Sequence, residues 1–168
     1  MISKIREIPN FPTKGISFKD ATPLFQDRGA FAIAMDKLAE PYLNRKIDAV
    51  VGIEARGFLL APVLAYKLGT GLVITRKKGK LPHKKIQKKY KLEYGTDTLE
   101  IHRDAIKPKQ KVLIVDDILC SGGTARACAD LVERLGGKII GFSFLMEDAF
   151  SKGREKLKGY KIHSLIKY

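Results

Sequence analysis

One stretch of the chain, Val112–Ala125, constrains the fold more than any other. It begins with four apolar residues, Val112 to Val115, a run typical of a strand buried on both faces inside a parallel sheet. Asp116 and Asp117 follow at the carboxyl end of that strand, where open α/β sheets place their ligands. The stretch therefore predicts an α/β protein with a central, mostly parallel sheet flanked by helices and a ligand site at this strand end.

A loop of small residues comes next and leads directly into a predicted helix. The loop consists of Cys120, Ser121, Gly122, Gly123 and Thr124. Backbone N–H groups of such a loop can approach a phosphate, and the start of a helix adds partial positive charge. No Lys follows the second glycine, so the loop is not a Walker A motif. Carboxylates beside a phosphate-binding loop suit a sugar phosphate, since the loop takes the phosphate and the acids take the hydroxyls.

Length and cysteine content limit the class of protein. The chain has 168 residues, of which 45% are hydrophobic, enough for the core of one domain over residues 1–168. No apolar run approaches the ~20 residues of a membrane span, and the first residues lack the apolar region of a signal peptide. Cys120 and Cys128 lack metal-ligand spacing and predict free thiols of a reducing compartment. We expect a cytoplasmic protein with no membrane partner.

The formal charge of +14 favours an anionic partner: nucleic acid, a membrane surface or a substrate with several phosphates. The charge is uneven, because the segment from Arg76 to Lys91 contains nine Lys and Arg residues and no acid. Such a run predicts a mostly solvated, mobile segment. The role of its lysine-rich part, residues 84–91, stays open.

The strand, the two acids and the Ser-Gly-Gly-Thr loop resemble the phosphoribosyl pyrophosphate (PRPP) signature of the type I phosphoribosyltransferases. This resemblance implies that family's fold, a mostly parallel sheet flanked by helices with an N-terminal hood and a flexible β-hairpin loop. The hood would cover about residues 5–25 and the hairpin, the flexible catalytic loop, about residues 77–101. Alternating apolar and polar residues around Gly95–Thr98 also predict a hairpin there.

The N-terminal segment resembles one branch of that family, the adenine phosphoribosyltransferases. It carries Phe11-Pro, Gly15 and Phe18-x-Asp before Thr-Pro. The resemblance implies that Phe18 stacks on the purine and that the backbone near Ser17 reads the purine edge. The alternative is that Phe18 only anchors an irregular arm to the core.

A second predicted strand, Ile47–Gly52, runs into a loop that ends in Arg56-Gly57. Arg can grip phosphate with two hydrogen bonds. The resemblance makes this loop the pyrophosphate loop, implies a cis peptide at Glu54–Ala55, and places Arg56 against the substrate, including adenine. The alternative is a structural ion pair of Arg56. The residues implied to bind pyrophosphate, partly across a dimer interface, are Ala55, Arg56, Arg76, Lys77 and Lys80.

The same resemblance assigns catalytic roles. Glu93, in Leu92-Glu-Tyr-Gly95, would face the imidazole side of adenine and help to remove its proton. Asp116 and Asp117 would accept hydrogen bonds from the ribose hydroxyls and stabilise positive charge that builds on the ribose ring. The chain departs from the family at His83–Lys89, where a weakly charged stretch is usual.

The implied reaction is purine salvage: adenine and PRPP give AMP and pyrophosphate. Mg²⁺ would be held mainly through PRPP with no direct protein ligand, and a homodimer without nucleic acid is expected. Two alternatives remain open: a transferase for another nucleobase, and a PRPP-sensing regulator that binds nucleic acid. The use of other 6-aminopurines is also left open.

Overall fold

The computed structural model describes residues 1–11, 13–91 and 95–168. It contains two compact units, Met1–Lys37 and Leu38–Tyr168. A single domain over residues 1–168 stays a prediction.

The first unit begins with an antiparallel hairpin. Its strands are β1 (Arg6–Pro9) and β2 (Ser17–Asp20), paired from Arg6 with Asp20 to Pro9 with Ser17. Two helices follow, α1 (Thr22–Gln26) and α2 (Arg28–Ala39), the second of which extends into the next unit. Pro41 lies in a 3₁₀ turn after α2, as expected for a residue that cannot continue a helix. The predicted hood segment is therefore an ordered hairpin with a short helix.

The second unit is built on a seven-stranded sheet of the order β5-β6-β4-β3-β7-β8-β9. The pairs β3–β4, β3–β7, β7–β8 and β8–β9 are parallel, and β4–β6 and β5–β6 are antiparallel. The strands are β3 (Ala49–Ile53), β4 (Gly71–Lys77), β5 (Lys85–Lys91), β6 (Thr96–His102), β7 (Lys111–Leu119), β8 (Lys138–Glu147) and β9 (Ile162–Lys167). The helices are α3 (Ala61–Leu68), α4 (Gly123–Arg134) and α5 (Gly153–Lys156). The predicted α/β fold with a mostly parallel sheet is confirmed, and so is the hairpin, as β5 and β6.

The middle of this sheet forms the core. All of β3 is buried, and Val112 to Val115 of β7 have no exposed surface. Both strands have neighbours on each side, so their apolar runs need no polar face. Asp116 and Asp117, which follow these residues within β7, therefore have a rigid support.

The chain leaves β3 and β7 in opposite directions. From β3 it passes through α3 to β4 on one side, and from β7 through α4 to β8 on the other. The loops after β3 and β7 therefore diverge, and the crevice between them is where open α/β sheets bind ligands. The predicted phosphate loop follows β7, and the predicted pyrophosphate loop follows β3.

Gly57 lets the loop after β3 pack on strand β7. A Cβ atom on Gly57 would lie 2.8 Å from the Val115 carbonyl oxygen and 3.0 Å from Oδ1 of Asp116. Only glycine allows the loop after β3 to pack this closely on β7.

We expect Gly57→Ala to lower the free energy of unfolding by about 1–3 kcal/mol, because the added methyl group overpacks against fixed backbone. Gly71→Ala is the matched control, since the atom nearest to its Cβ would be the Asp48 carbonyl oxygen at 3.8 Å. This control should leave stability unchanged or raise it by up to about 1 kcal/mol. Urea denaturation measures both, and equal stability of the two variants would contradict the close contact.

Candidate active site

Arg56 links the loop after β3 to strand β7 through an ion pair with Asp117. Its Nε atom donates to Oδ2 of Asp117, whose side chain is only 6% exposed. Arg56 lies in the 3₁₀ turn Arg56–Leu59, directly after a cis peptide between Glu54 and Ala55. This is the cis peptide that the family resemblance implied. The ion pair agrees with the alternative predicted for Arg56, and substrate contact by the same side chain stays a prediction.

The two acids lie inside β7, which continues to Leu119, and not beyond its end. Oδ1 of Asp116 accepts a hydrogen bond of 2.9 Å from the backbone N–H of Asp117. Burial raises the pKa of Asp116 well above its usual range, and the neighbouring Asp117 carboxylate raises it further. The adjacent carboxyl groups therefore differ in environment, because Asp117 faces a guanidinium group.

The predicted phosphate loop is shaped by close backbone contacts. Gly122 has a φ of 74° and precedes α4, and a Cβ on it would lie 2.5 Å from the Gly153 carbonyl oxygen. A Cβ on Gly123 would lie 2.5 Å from the carbonyl oxygen of Lys91. Both glycines are thus required by protein packing. The loop still opens into the first turn of α4, as phosphate binding requires.

Glu54 organises the predicted pyrophosphate residues, a role that sequence reasoning missed. Its side chain is 6% exposed and accepts hydrogen bonds from Arg76 Nη2 at 2.9 Å, Lys80 Nζ at 2.8 Å and the Lys77 backbone N–H at 2.8 Å. Burial raises the pKa of Glu54, but the hydrogen bonds from Lys80, Arg76 and Lys77 outweigh it and leave a pKa of about 2. The sequence held one signal for this role. Glu54 is the single acid of the predicted pyrophosphate loop, and Arg76, Lys77 and Lys80 were expected to bind the same pyrophosphate.

The cations of the basic segment from Arg76 to Lys91 are mostly exposed, in keeping with the solvated segment that the sequence predicted, and the mobility of the segment stays a prediction. Within the described residues, five of its nine cations also contact carboxylates. The pairs are Arg76–Glu54, Lys80–Glu54, Lys77–Asp97, Lys85–Glu100 and Lys88–Asp130. The sequence could not predict these ion pairs, because the partner acids lie outside the segment.

The residues predicted to bind adenine are divided between the two units. Ser17 and Phe18 belong to Met1–Lys37, where the Ser17 hydroxyl donates to Glu7 and the Phe18 ring meets Phe11 edge-on at 5.3 Å between centroids. Arg56 belongs to Leu38–Tyr168. Glu93, the predicted catalytic base, lies outside the described residues.

Cys120 and Cys128 are free thiols, as the sequence predicted. Burial raises the pKa of Cys128 to about 12. Among residues 1–11, 13–91 and 95–168, no three His, Cys, Asp or Glu side chains cluster so that they could hold a metal ion by themselves. In the same part of the chain, no helix has the length and apolar character needed to cross a membrane.

Comparison with known proteins identifies the class of protein to which this chain belongs. The family described as phosphoribosyl transferase domain matches residues 23–167. An adenine phosphoribosyltransferase of Syntrophotalea carbinolica is 54% identical over 98% of this chain and 96% of its own length. The crystal structure of the enzyme of that name from Thermoanaerobacter pseudethanolicus has a TM-score of 0.96 and 53% identity, covering 99% of this chain and 97% of its own.

A further structure comes from the adenine phosphoribosyltransferase of Saccharomyces cerevisiae, complexed with an imino-altritol bisphosphate and adenine. It has a TM-score of 0.91 and 42% identity, and covers 98% of this chain and 95% of its own. The chain belongs to the adenine phosphoribosyltransferases. The family and the type I phosphoribosyltransferase fold expected from the sequence are confirmed.

The low pKa of Glu54 predicts a pH-dependent contribution to stability. A carboxylate whose folded pKa of about 2 is below its ordinary 4.5 stabilises the protein above pH 4.5, and this contribution is lost as pH falls towards 2. Glu54→Gln should therefore lower the free energy of unfolding by on the order of 2 kcal/mol at pH 7, allowing for the exposed lysine partner.

The difference from wild type should narrow as urea denaturation is repeated from pH 7 down to about pH 3. The exposed Glu155 gives the control Glu155→Gln. A Glu54→Gln variant that behaves like this control at every pH would refute the role of Glu54.

Proposed function

We propose that this protein catalyses the salvage of adenine: adenine and PRPP give AMP and pyrophosphate. The observation that carries the proposal is the ion pair of Arg56 with Asp117, which joins the predicted pyrophosphate loop after β3 to the acid pair of β7 that precedes the predicted phosphate loop. Relatives that match nearly the full length and are named adenine phosphoribosyltransferases support the choice of substrate.

The 5′-phosphate of PRPP would bind the loop of Cys120, Ser121, Gly122, Gly123 and Thr124. The loop leads into α4, a helix of 12 residues whose first N–H groups lack partners within the helix. Binding there fixes the ribose in place and supplies orientation.

Asp116 and Asp117 would act on the ribose. They precede this loop in the chain, so they would accept hydrogen bonds from the hydroxyls of a ribose that the loop anchors. As the bond from the anomeric carbon to pyrophosphate breaks and adenine nitrogen attacks, positive charge grows on the ring, and carboxylate charge beside it would stabilise it. The raised pKa of Asp116 favours the neutral form of that acid, so Asp117 would supply this charge. The ion pair with Arg56 holds Asp117 in place for this role.

Pyrophosphate would leave towards Ala55, Arg56, Arg76, Lys77 and Lys80. Glu54 holds three of these residues in position, through Arg76 Nη2, Lys80 Nζ and the Lys77 N–H. Mg²⁺, when bound with PRPP, would neutralise the leaving oxygens. The cation would be held mainly through the phosphate oxygens of PRPP, with no direct protein ligand.

The base would be recognised by Ser17, Phe18 and Arg56, and Glu93 would take its proton. These roles rest on the family resemblance of the hood and of Leu92-Glu-Tyr-Gly95. A homodimer and a cytoplasmic location also stay predictions.

The two alternatives are weaker on specific grounds. A transferase for another base would share the phosphate loop but lacks support from the named relatives. A nucleic-acid regulator likewise lacks support from the relatives, which match nearly the full length of the chain and are named adenine phosphoribosyltransferases.

The test of function is to mix the protein with Mg²⁺, PRPP and each common nucleobase in turn. We expect AMP from adenine and little product from hypoxanthine or guanine, since a base edge read by hydrogen bonds rejects swapped donors and acceptors strongly. Chromatography of the nucleotides measures both. Comparable conversion of hypoxanthine or guanine would overturn the assignment to adenine.

Asp117→Asn should reduce kcat/KM for PRPP by about 10²–10³-fold, a loss typical of removing one transition-state-stabilising group. The change also removes the ionic partner of Arg56. Asp104→Asn, at an exposed turn, is the control and should keep wild-type kinetics. A small effect of Asp117→Asn in a folded variant would show that the carboxylate has no part in the reaction.

A further inference from the structure

Strand β5 lies along one face of α4, the helix that begins at the predicted phosphate loop. The Lys91 carbonyl oxygen lies against Gly123, where a Cβ would be 2.5 Å away. Lys88 Nζ lies 2.7 Å from Oδ2 of Asp130. Arg134 Nη1 donates to the Gln87 carbonyl oxygen at 3.0 Å. These three contacts run along the helix in order, so the strand is held at several turns.

The contacts at Gly123 and at Asp130 are spaced equally on the helix and on the strand. Gly123 and Asp130 are separated by seven helical residues, about 10.5 Å along the axis, and they lie on the same helix face. Lys91 and Lys88 are separated by three strand residues, about 10 Å. The Lys88–Asp130 pair therefore fits the same register as the contact at Gly123. A shift of one residue would break both.

The inward face of β5 also meets the phosphate loop through Tyr90. The Tyr90 hydroxyl donates to Asp97 at 3.4 Å. Burial raises the pKa of Tyr90, while hydrogen bonding with the Thr124 side chain opposes this rise. Tyr90 thus connects β5 with a residue predicted to bind the 5′-phosphate.

Asp130 is itself held in place. Arg126 Nε donates to its Oδ1 atom at 2.7 Å, and Arg126 Nη1 donates to the Tyr160 hydroxyl at 2.9 Å. The carboxylate that receives Lys88 therefore has a fixed position on α4. The Asp130 side chain is 17% exposed and that of Lys88 is 42% exposed, so the pair is partly shielded from water.

We propose that Lys88 and Asp130 are positioning residues for PRPP, holding β5 in the register that places Tyr90 and Lys91 against the phosphate loop. This inference rests on the proposed function. It gives the lysine-rich stretch a specific role: Lys88 fixes the hairpin to the helix that carries the phosphate loop. Lys89 points to the other face of the strand and is exposed.

The test is steady-state kinetics with PRPP varied at saturating adenine. Lys88→Gln should raise KM for PRPP roughly two- to fivefold, the range expected for one partly exposed ion pair. Lys88→Arg keeps the pair and should stay near wild type. Lys89→Gln removes the same charge one residue away and should also stay near wild type. Equal effects of Lys88→Gln and Lys89→Gln would overturn the proposal.

A double variant separates the ion pair from the general field of positive charge. Lys88→Gln with Asp130→Asn restores the net charge but not the pair, so KM should remain raised and be close to that of Asp130→Asn alone. Return of KM to the wild-type value would show a charge effect and refute positioning. Failure of the wild-type protein to convert adenine and PRPP would instead refute the proposed function, so the two failures are distinct.

Discussion

The close packing of the loop after β3 on the end of β7 is the constraint on which the site depends. Gly57 permits it, because any side chain there would meet the backbone of Val115 and Asp116. The contact brings Arg56 to Asp117, so a cation from this loop lies against a carboxylate of β7. Two diverging crossovers create a crevice in many α/β folds, but this packing turns the crevice into a site with fixed charges.

Electrostatics in this protein are organised by pairing more than by net charge. A charge of +14 suggests a broad cationic surface, yet Glu54, Asp97, Glu100 and Asp130 each contact cations of the basic segment. Glu54 orders Arg76 and Lys80 before any substrate arrives, so those side chains lose little further freedom when an anion binds. Such preorganised cations suit a polyphosphate of defined shape. Affinity for nucleic acid depends mainly on the number of cations that contact its phosphates.

The sequence predicted those parts of the fold and site that depend on neighbours along the chain. The buried strand at Val112–Val115, the acids after it and the glycine loop follow from local patterns, and the family resemblance placed the cis peptide at Glu54–Ala55. The partners of the basic segment could not be predicted, because Lys88 meets Asp130 only after β5 has packed on α4. The position of an acid in the sequence does not reveal which cation will reach it in the fold.

The glycines of the phosphate loop show the same limit and explain its shape. Their local pattern suggests space left for a phosphate, but Gly122 meets Gly153, and Gly123 meets Lys91 of β5. Gly153 in turn packs on the Cys120 carbonyl group. Segments distant in sequence thus press the loop into a backbone form that L side chains rarely adopt, with φ of 74° at Gly122. The backbone form of the predicted phosphate loop therefore depends on the packing of the hairpin and α5 against it.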